Sequence, residues 1–132
     1  MEKKIKVLLV SEERGVISLL LRKIQGAEPR IQILAAENTN QAIEVIGHDH
    51  EIEFIVFMGE IEGPRSAVVN LARRISSFTM NAEMYADTGK EDIDRKLVEA
   101  GCRGIIGERS ICEFVIELAR SKLDQVEATQ VL

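Results

Sequence analysis

Apolar residues are spaced along the chain in two alternating patterns. Short continuous apolar runs are typical of strands buried on both faces of a sheet. They alternate with segments in which apolar residues recur every three or four positions, as in amphipathic helices. The runs predict five strands, over residues 5–10, 31–36, 52–58, 82–86 and 104–106. The helical spacing predicts a helix after each strand, over about 13–25, 38–47, 64–75, 93–100 and 111–123.

Residues at the ends of these segments support the helix assignments. Asn38 and Gln41 have the spacing of a capping box. Pro64 suits the start of the third helix, because proline is favoured at the first helical position. Gly26 and Pro29 are expected to end the first helix.

Five alternating strand–helix units predict an α/β fold. Such a chain forms a doubly wound parallel sheet with helices on both faces, joined by right-handed crossovers. The length of 132 residues corresponds to one domain. We expect that domain to span residues 1–123, and residues 124–132 to form a tail that is either a helical extension or disordered.

Composition and charge narrow the function classes. The chain is 45% hydrophobic and 30% charged, which is typical of a globular domain, and its net charge of −5 argues against binding nucleic acid. No apolar run approaches the ~20 residues of a membrane span, and the amino-terminal run is too short for a signal peptide. Cys102 and Cys112 are expected to be reduced thiols. These features predict a cytoplasmic protein without membrane contact.

The carboxyl end of the third strand is the expected position of a functional site. The apolar run of residues 54–58 is unbroken, and a polar loop containing Glu60 and Glu62 follows it. In open parallel sheets, ligands bind beyond the carboxyl ends of the strands, where the strand order reverses. Together with Glu12 after the first strand, these acids could hold a metal ion, but we interpret them as solvated loop carboxylates.

Three stretches of the sequence carry a resemblance to a known family. They are KVLLV followed by acidic residues, EFIVFM with its loop, and LVEAGCRGII before the last helix. With the order of elements, they make the chain similar over nearly its whole length to the receiver domain of bacterial two-component response regulators. The resemblance implies a flavodoxin-like three-layer sandwich with strand order 2-1-3-4-5. It places the site where the first and third strands diverge.

Working receivers use five functional positions. Two acids after the first strand bind Mg²⁺, and an aspartate at the end of the third strand accepts the phosphoryl group. A Thr or Ser ending the fourth strand senses that group, and a lysine ending the fifth strand pairs with it. On this chain the acids correspond to Ser11 and Glu12, the hydroxyl to Ala86 and the lysine to Glu108.

The acceptor position corresponds to either Met58 or Glu60. Counting forward through the strand gives Met58, which also suits the distances to Ala86 and Glu108, and counting back from Pro64 gives Glu60. Met58 has no nucleophilic oxygen. Glu60 is a carboxylate, but its longer stem would displace the reacting oxygen, and placement of reacting atoms contributes several kcal/mol to a rate.

The departures from the family pattern imply a degenerate receiver that binds proteins and is not an enzyme. Mg²⁺ needs carboxylates in near-octahedral geometry, and a glutamate at the lysine position repels an incoming phosphoryl group. We therefore expect neither cofactor nor metal. One alternative is a conventional receiver phosphorylated on an acid of the 58–62 loop. Another is a cofactor-binding protein of the same fold.

The family uses the fourth helix, fifth strand and fifth helix for output contacts. On this chain the resemblance therefore predicts a surface there for a protein partner or a second copy. We also expect Glu108 to face other acids and to pair with Arg109 or Arg103, because a guanidinium suits a carboxylate. The residues assigned to the interaction surface are Glu91, Arg95, Ile105, Glu113, Glu117 and Arg120.

Overall fold

The sheet has the predicted topology. The computed structural model describes residues 3–78 and 81–131, and within them five parallel strands lie in the order β2-β1-β3-β4-β5. This confirms the doubly wound fold and the strand order. The strands are β1 Ile5–Val10, β2 Ile31–Ala36, β3 Ile52–Met58, β4 Glu83–Asp87 and β5 Gly104–Ile105.

The helices form two layers, one on each face of the sheet. The first and last helices pack against one face, and the three middle helices pack against the other. The predicted cap is present, because Asn38 Oδ1 accepts a hydrogen bond from the Gln41 N–H at 2.9 Å. The helices are α1 Arg14–Ala27, α2 Thr39–His48, α3 Arg65–Ser77, α4 Glu91–Ala100 and α5 Ile111–Val131.

The continuous apolar runs correspond to strands covered on both faces. Leu8, Leu9 and Val56 are fully buried, as the runs predict. Successive side chains of a strand point to opposite faces, so Leu8 packs in the core beneath α2, α3 and α4, whereas Leu9 and Val56 pack beneath α1 and α5. The two cores fix the position of β3 at the centre of the sheet.

Several predicted boundaries are wrong by a few residues. α1 continues through Gly26 to Ala27 and ends just before Pro29, because one glycine costs a helix only about 1 kcal/mol whereas proline cannot continue it. α5 ends at Val131 and not near residue 123, so residues 124–131 form the helical extension that was one of the two predicted alternatives. An ion pair of 3.0 Å joins Glu127 in this extension to Arg30, just before β2. The domain boundary at 123 stays a prediction, and Leu132 lies outside the described residues.

Candidate functional site

The loops after β1 and β3 are tied together at the carboxyl edge of the sheet. The carbonyl oxygen of Glu60 accepts hydrogen bonds from the Glu12 N–H at 2.8 Å and from the Ser11 hydroxyl at 3.1 Å. Ser11 is 1% exposed. Both lone pairs of this carbonyl are therefore used by the protein itself, and Ser11 contributes a hydroxyl at a position where the resemblance to receivers implies an acid.

Gly59 allows the chain to turn at the end of β3. Its φ is +55°, in the left-handed region that favours glycine. A Cβ atom at this position would overlap the Glu13 carboxylate. Glu13 thus lies over the end of β3, in space that any side chain at position 59 would occupy.

Met58 and Asp87 form the last pair of the β3–β4 ladder. Met58 is 2% exposed and packs in the core beneath α1 and α5. Asp87 is half-buried, and burial, followed by the negative charge of Asp94, raises the pKa of its carboxyl above the usual value. The residue at the end of β3 therefore has an apolar side chain inside the core. The carboxyl group beside it belongs to the neighbouring strand, β4.

The hydroxyl closest to the end of β4 belongs to Thr88, two residues beyond the predicted position Ala86. Ala86 is fully buried. The Thr88 hydroxyl donates to Asp94 Oδ1 at 2.6 Å, and the Thr88 N–H donates to the same oxygen at 2.9 Å. Thr88 and Asp94 are 8% and 4% exposed, so this hydroxyl and carboxylate satisfy each other inside the protein.

A small cavity of about 130 Å³ lies between the β3–α3 loop and the start of α4. A salt bridge of 2.9 Å between Lys90 Nζ and Glu60 lies at its polar side. Its apolar lining is supplied by Ile61, Val68 and Ile93. One cavity is thus lined by the Glu60 carboxylate, the Thr88 hydroxyl and the Lys90 ammonium group. The ammonium group comes from the β4–α4 loop, whereas the resemblance to receivers implies a lysine at the end of β5.

The predicted pairing of Glu108 is wrong. Arg109 forms an ion pair of 3.4 Å with Glu117 and lies over the Phe114 ring at 5.1 Å. Arg103 forms an ion pair of 2.6 Å with Glu83. Glu108 is exposed and has no ion pair within residues 3–78 and 81–131, because both neighbouring arginines reach other elements.

Neither a metal cluster nor a disulfide is formed by the part of the chain that the structure describes. No group of three His, Cys, Asp or Glu side chains in that part is arranged to hold a metal ion. Cys102 and Cys112 are free thiols. Burial raises the pKa of the Cys102 thiol to about 12, so Cys102 is an unreactive core residue.

The residues assigned to the interaction surface are all exposed, but one of them, Arg120, contacts another helix. Arg120 donates to the Ala27 carbonyl at 3.3 Å and lies 3.5 Å from Glu28, so it is tied to the end of α1. Ile105, at 49% exposure, belongs to the edge strand β5. Val98 on α4 is 37% exposed and was not among the residues assigned to this surface. The other members are Glu91, Arg95, Glu113 and Glu117.

Sequence reasoning also missed the group formed by Thr88, Lys90 and Asp94. Its members lie within seven residues of each other, and a threonine six residues before an aspartate at the start of a helix was the available signal. An acid in the first turn of a helix ordinarily indicates a dipole effect at the surface. Here the acid is buried instead.

Comparison with solved structures identifies the fold. The chain superposes on a response regulator protein from Burkholderia pseudomallei, solved with a phosphorylated aspartic acid, calcium ion and citrate, with a TM-score of 0.72. That match has 15% identity and covers 96% of this chain and 73% of the other. The signal receiver domain of NarL from Mycobacterium tuberculosis gives 0.73 at 11% identity, over 93% of this chain and 98% of the other. The chain has the fold of a response-regulator receiver domain.

A CheY-like receiver domain protein from Methanospirillum hungatei matches to the same degree. Its TM-score is 0.71 at 12% identity, over 96% of this chain and 99% of the other. No protein-family model and no curated protein sequence matches the chain. Within the described residues, none of the helices of this receiver fold is long and apolar enough to cross a bilayer.

Proposed function

We propose that this chain is a receiver-like regulatory module of signal transduction that acts by binding proteins, independently of phosphorylation. The observation that carries the proposal is Met58. β3 ends at this residue, and its side chain is an apolar part of the core. A thioether in a closed core offers no oxygen to a phosphodonor, so the central step of receiver chemistry has no acceptor there.

The surrounding groups support the same conclusion. An incoming phosphoryl group needs positive charge where its negative charge develops, but Glu108 corresponds to the lysine position. Ser11 corresponds to one of the two metal-binding acids, and its hydroxyl is bonded to the Glu60 carbonyl. Loss of the acceptor, the lysine and one acid removes the reaction's nucleophile, its charge stabilisation and half of its metal site.

One observation favours the alternative, a conventional receiver phosphorylated on Glu60. Glu60, Thr88 and Lys90 all line the small cavity near the strand ends. However, the Glu60 carboxylate is held by Lys90 at 2.9 Å, and the Thr88 hydroxyl is held by Asp94. Both the carboxylate and the hydroxyl are therefore already bound to other protein groups. For this reason we favour a module that acts without phosphorylation.

We place the partner surface on α4, β5 and the adjoining face of α5. Val98 on α4 and Ile105 on β5 are large apolar residues exposed on two elements that contact each other, and exposed apolar surface is a common feature of interaction sites. The surface would take a partner protein or a second copy of this chain. Arg120 is left out because its contacts are with the end of α1. We further propose a cytoplasmic, bacterial protein, from its sequence features and its resemblance to a bacterial family.

The phosphorylation question is tested by incubating the protein with acetyl phosphate and Mg²⁺ and measuring its intact mass. We expect no phosphoryl mass to be added. A stoichiometric, base-labile adduct would overturn the proposal, and its loss in Glu60→Gln would establish the alternative acceptor. Glu44→Gln is the matched control, since Glu44 is exposed on α2, away from the strand ends.

The partner surface is tested by light scattering on the chain and on Ile105→Lys. If two copies associate through this surface, the substitution lowers the mass toward that of the monomer. Val16→Lys on α1 is the control, because Val16 is also apolar and 43% exposed. Equal loss of association in both variants would place the contact elsewhere.

A further inference from the structure

Asp94 is a buried carboxylate that the phosphorylation chemistry of a receiver does not explain. It lies in the first turn of α4 and is 4% exposed. Burying a carboxylate is unfavourable unless hydrogen-bond donors compensate it. Two such donors are the N–H and the hydroxyl of Thr88, at 2.9 and 2.6 Å. The end of β4 and the start of α4 are therefore joined by a charged, buried contact.

The Thr88 hydroxyl connects this contact to the β4–α4 loop. Its oxygen accepts a hydrogen bond from the Lys90 N–H at 3.2 Å, and its proton is donated to Asp94 at 2.6 Å rather than to the Lys90 carbonyl, which lies farther away at 3.4 Å. A hydroxyl has one proton to donate, so Thr88 cannot also donate to another group without breaking its bond to Asp94. Gly89, with φ of +77°, supplies the turn that brings the Lys90 N–H back to Thr88.

Lys90 extends the connection to the β3–α3 loop. Its ammonium group lies 2.9 Å from the carboxylate of Glu60, whose own carbonyl is bonded to Ser11 and Glu12. The Lys90–Glu60 pair is partly exposed and contributes little by itself. The buried contact between Asp94 and Thr88 is therefore stronger than the Lys90–Glu60 pair.

We propose that Asp94, Thr88 and Lys90 form a clamp that holds the β4–α4 loop and α4 in a single conformation without any phosphoryl group. The surface formed by α4, β5 and α5 is then presented permanently to its partner. The inference rests on the proposed function, because it concerns the same surface. It adds a mechanism by which the module stays in one state after the acceptor chemistry is lost.

The clamp is tested on the full chain, free of partner and phosphodonor, by amide hydrogen exchange and NMR relaxation dispersion. The wild-type chain should show no μs–ms exchange for amides of residues 87–100. Thr88→Val removes the hydroxyl and should speed exchange of the Lys90 amide by about 5- to 30-fold, the effect of losing roughly 1–2 kcal/mol. The same variant should introduce μs–ms exchange in α4.

Two further variants separate the clamp from general packing. Thr88→Ser keeps the hydroxyl and should behave like the wild-type chain. Thr39→Val, at a half-buried threonine that starts α2, should leave residues 87–100 unchanged. If Thr88→Val matches Thr39→Val, or if the wild-type chain already exchanges between two states in α4, the clamp is overturned. If Thr88→Val does not fold, the measurement on the wild-type chain tests the clamp by itself.

The outcome is independent of the test of the proposed function. A chain with a mobile α4 and no phosphoryl uptake would contradict the clamp and leave the module without phosphorylation standing. A chain with a rigid α4 that takes up a phosphoryl group would contradict the proposed function instead.

Discussion

Met58 and Asp87 lie side by side at the carboxyl ends of β3 and β4, one closed inside the core and the other half-buried. The end of β3, where the resemblance to receivers implies an aspartate, is thus apolar. The acid paired with this position is Asp87, which lies on β4. This arrangement leads to the first prediction.

Asp87→Asn should raise the melting temperature at pH 7 by a few degrees. Burial and Asp94 raise the pKa of Asp87 in the folded state, so the ionised form is disfavoured there relative to the unfolded chain. The destabilisation is present above the folded pKa and disappears as the pH falls below the unfolded value. Melting curves from pH 3 to pH 8 should therefore converge at the acid end. Asp124→Asn, exposed on α5, is the control, and a lower melting temperature for Asp87→Asn at pH 7 would mean that Asp87 makes a favourable contact.

Mg²⁺ should bind no more tightly than millimolar. Ser11 has a hydroxyl where the resemblance to receivers implies a carboxylate, and the Glu60 carbonyl already accepts two hydrogen bonds from the protein. Mg²⁺ needs oxygen ligands in near-octahedral geometry, and these groups do not provide it. Isothermal titration calorimetry checks the affinity. A micromolar site that disappears in Glu12→Gln would contradict this prediction.

Glu28→Gln should lower the free energy of unfolding at pH 7 by about 1.5–3 kcal/mol, the usual contribution of hydrogen bonds to a charged group. The Arg30 side chain donates to both carboxylate oxygens of Glu28, at 3.0 and 2.9 Å. These bonds lower the pKa of Glu28 to about 2.

The same pair predicts a dependence on pH. A depressed folded-state pKa stabilises the protein above the unfolded value of 4.5, and this stabilisation is lost as the pH falls toward 2. Urea unfolding of the wild-type chain and Glu28→Gln should therefore differ at pH 7 and converge in acid. Glu44→Gln should match the wild-type chain throughout. A constant difference at all pH values would show that Glu28 acts through packing and not through its charge.

Val56→Ala should lower the free energy of unfolding by about 1–3 kcal/mol, through lost burial and the cavity left behind. Val56 is fully buried at the centre of β3. Val16→Ala removes the same atoms from a side chain that is 43% exposed and should change stability by less than about 0.5 kcal/mol. Equal effects of the two substitutions in urea unfolding would contradict the central position of β3.

The sequence by itself determined the five strands, the five helices and the α/β class. These features follow from local spacing: a short apolar run such as residues 54–58, bounded by polar residues and Gly59, is typical of a strand covered on both faces, and a cap such as Asn38 with Gln41 forms within one helical turn. Apolar periodicity depends on neighbours in the chain, so it can be read without knowing the tertiary structure. The resemblance to receivers supplied the strand order, which the structure confirms.

The tertiary structure decided which charged groups meet. Arg109 is next to Glu108 in sequence, yet its guanidinium lies over the Phe114 ring and beside Glu117, both on α5. Thr88, directly after β4, meets Asp94 in the first turn of α4. Such contacts depend on the direction in which each side chain leaves the backbone and on the element that covers it. Both are set only when the helices pack against the sheet.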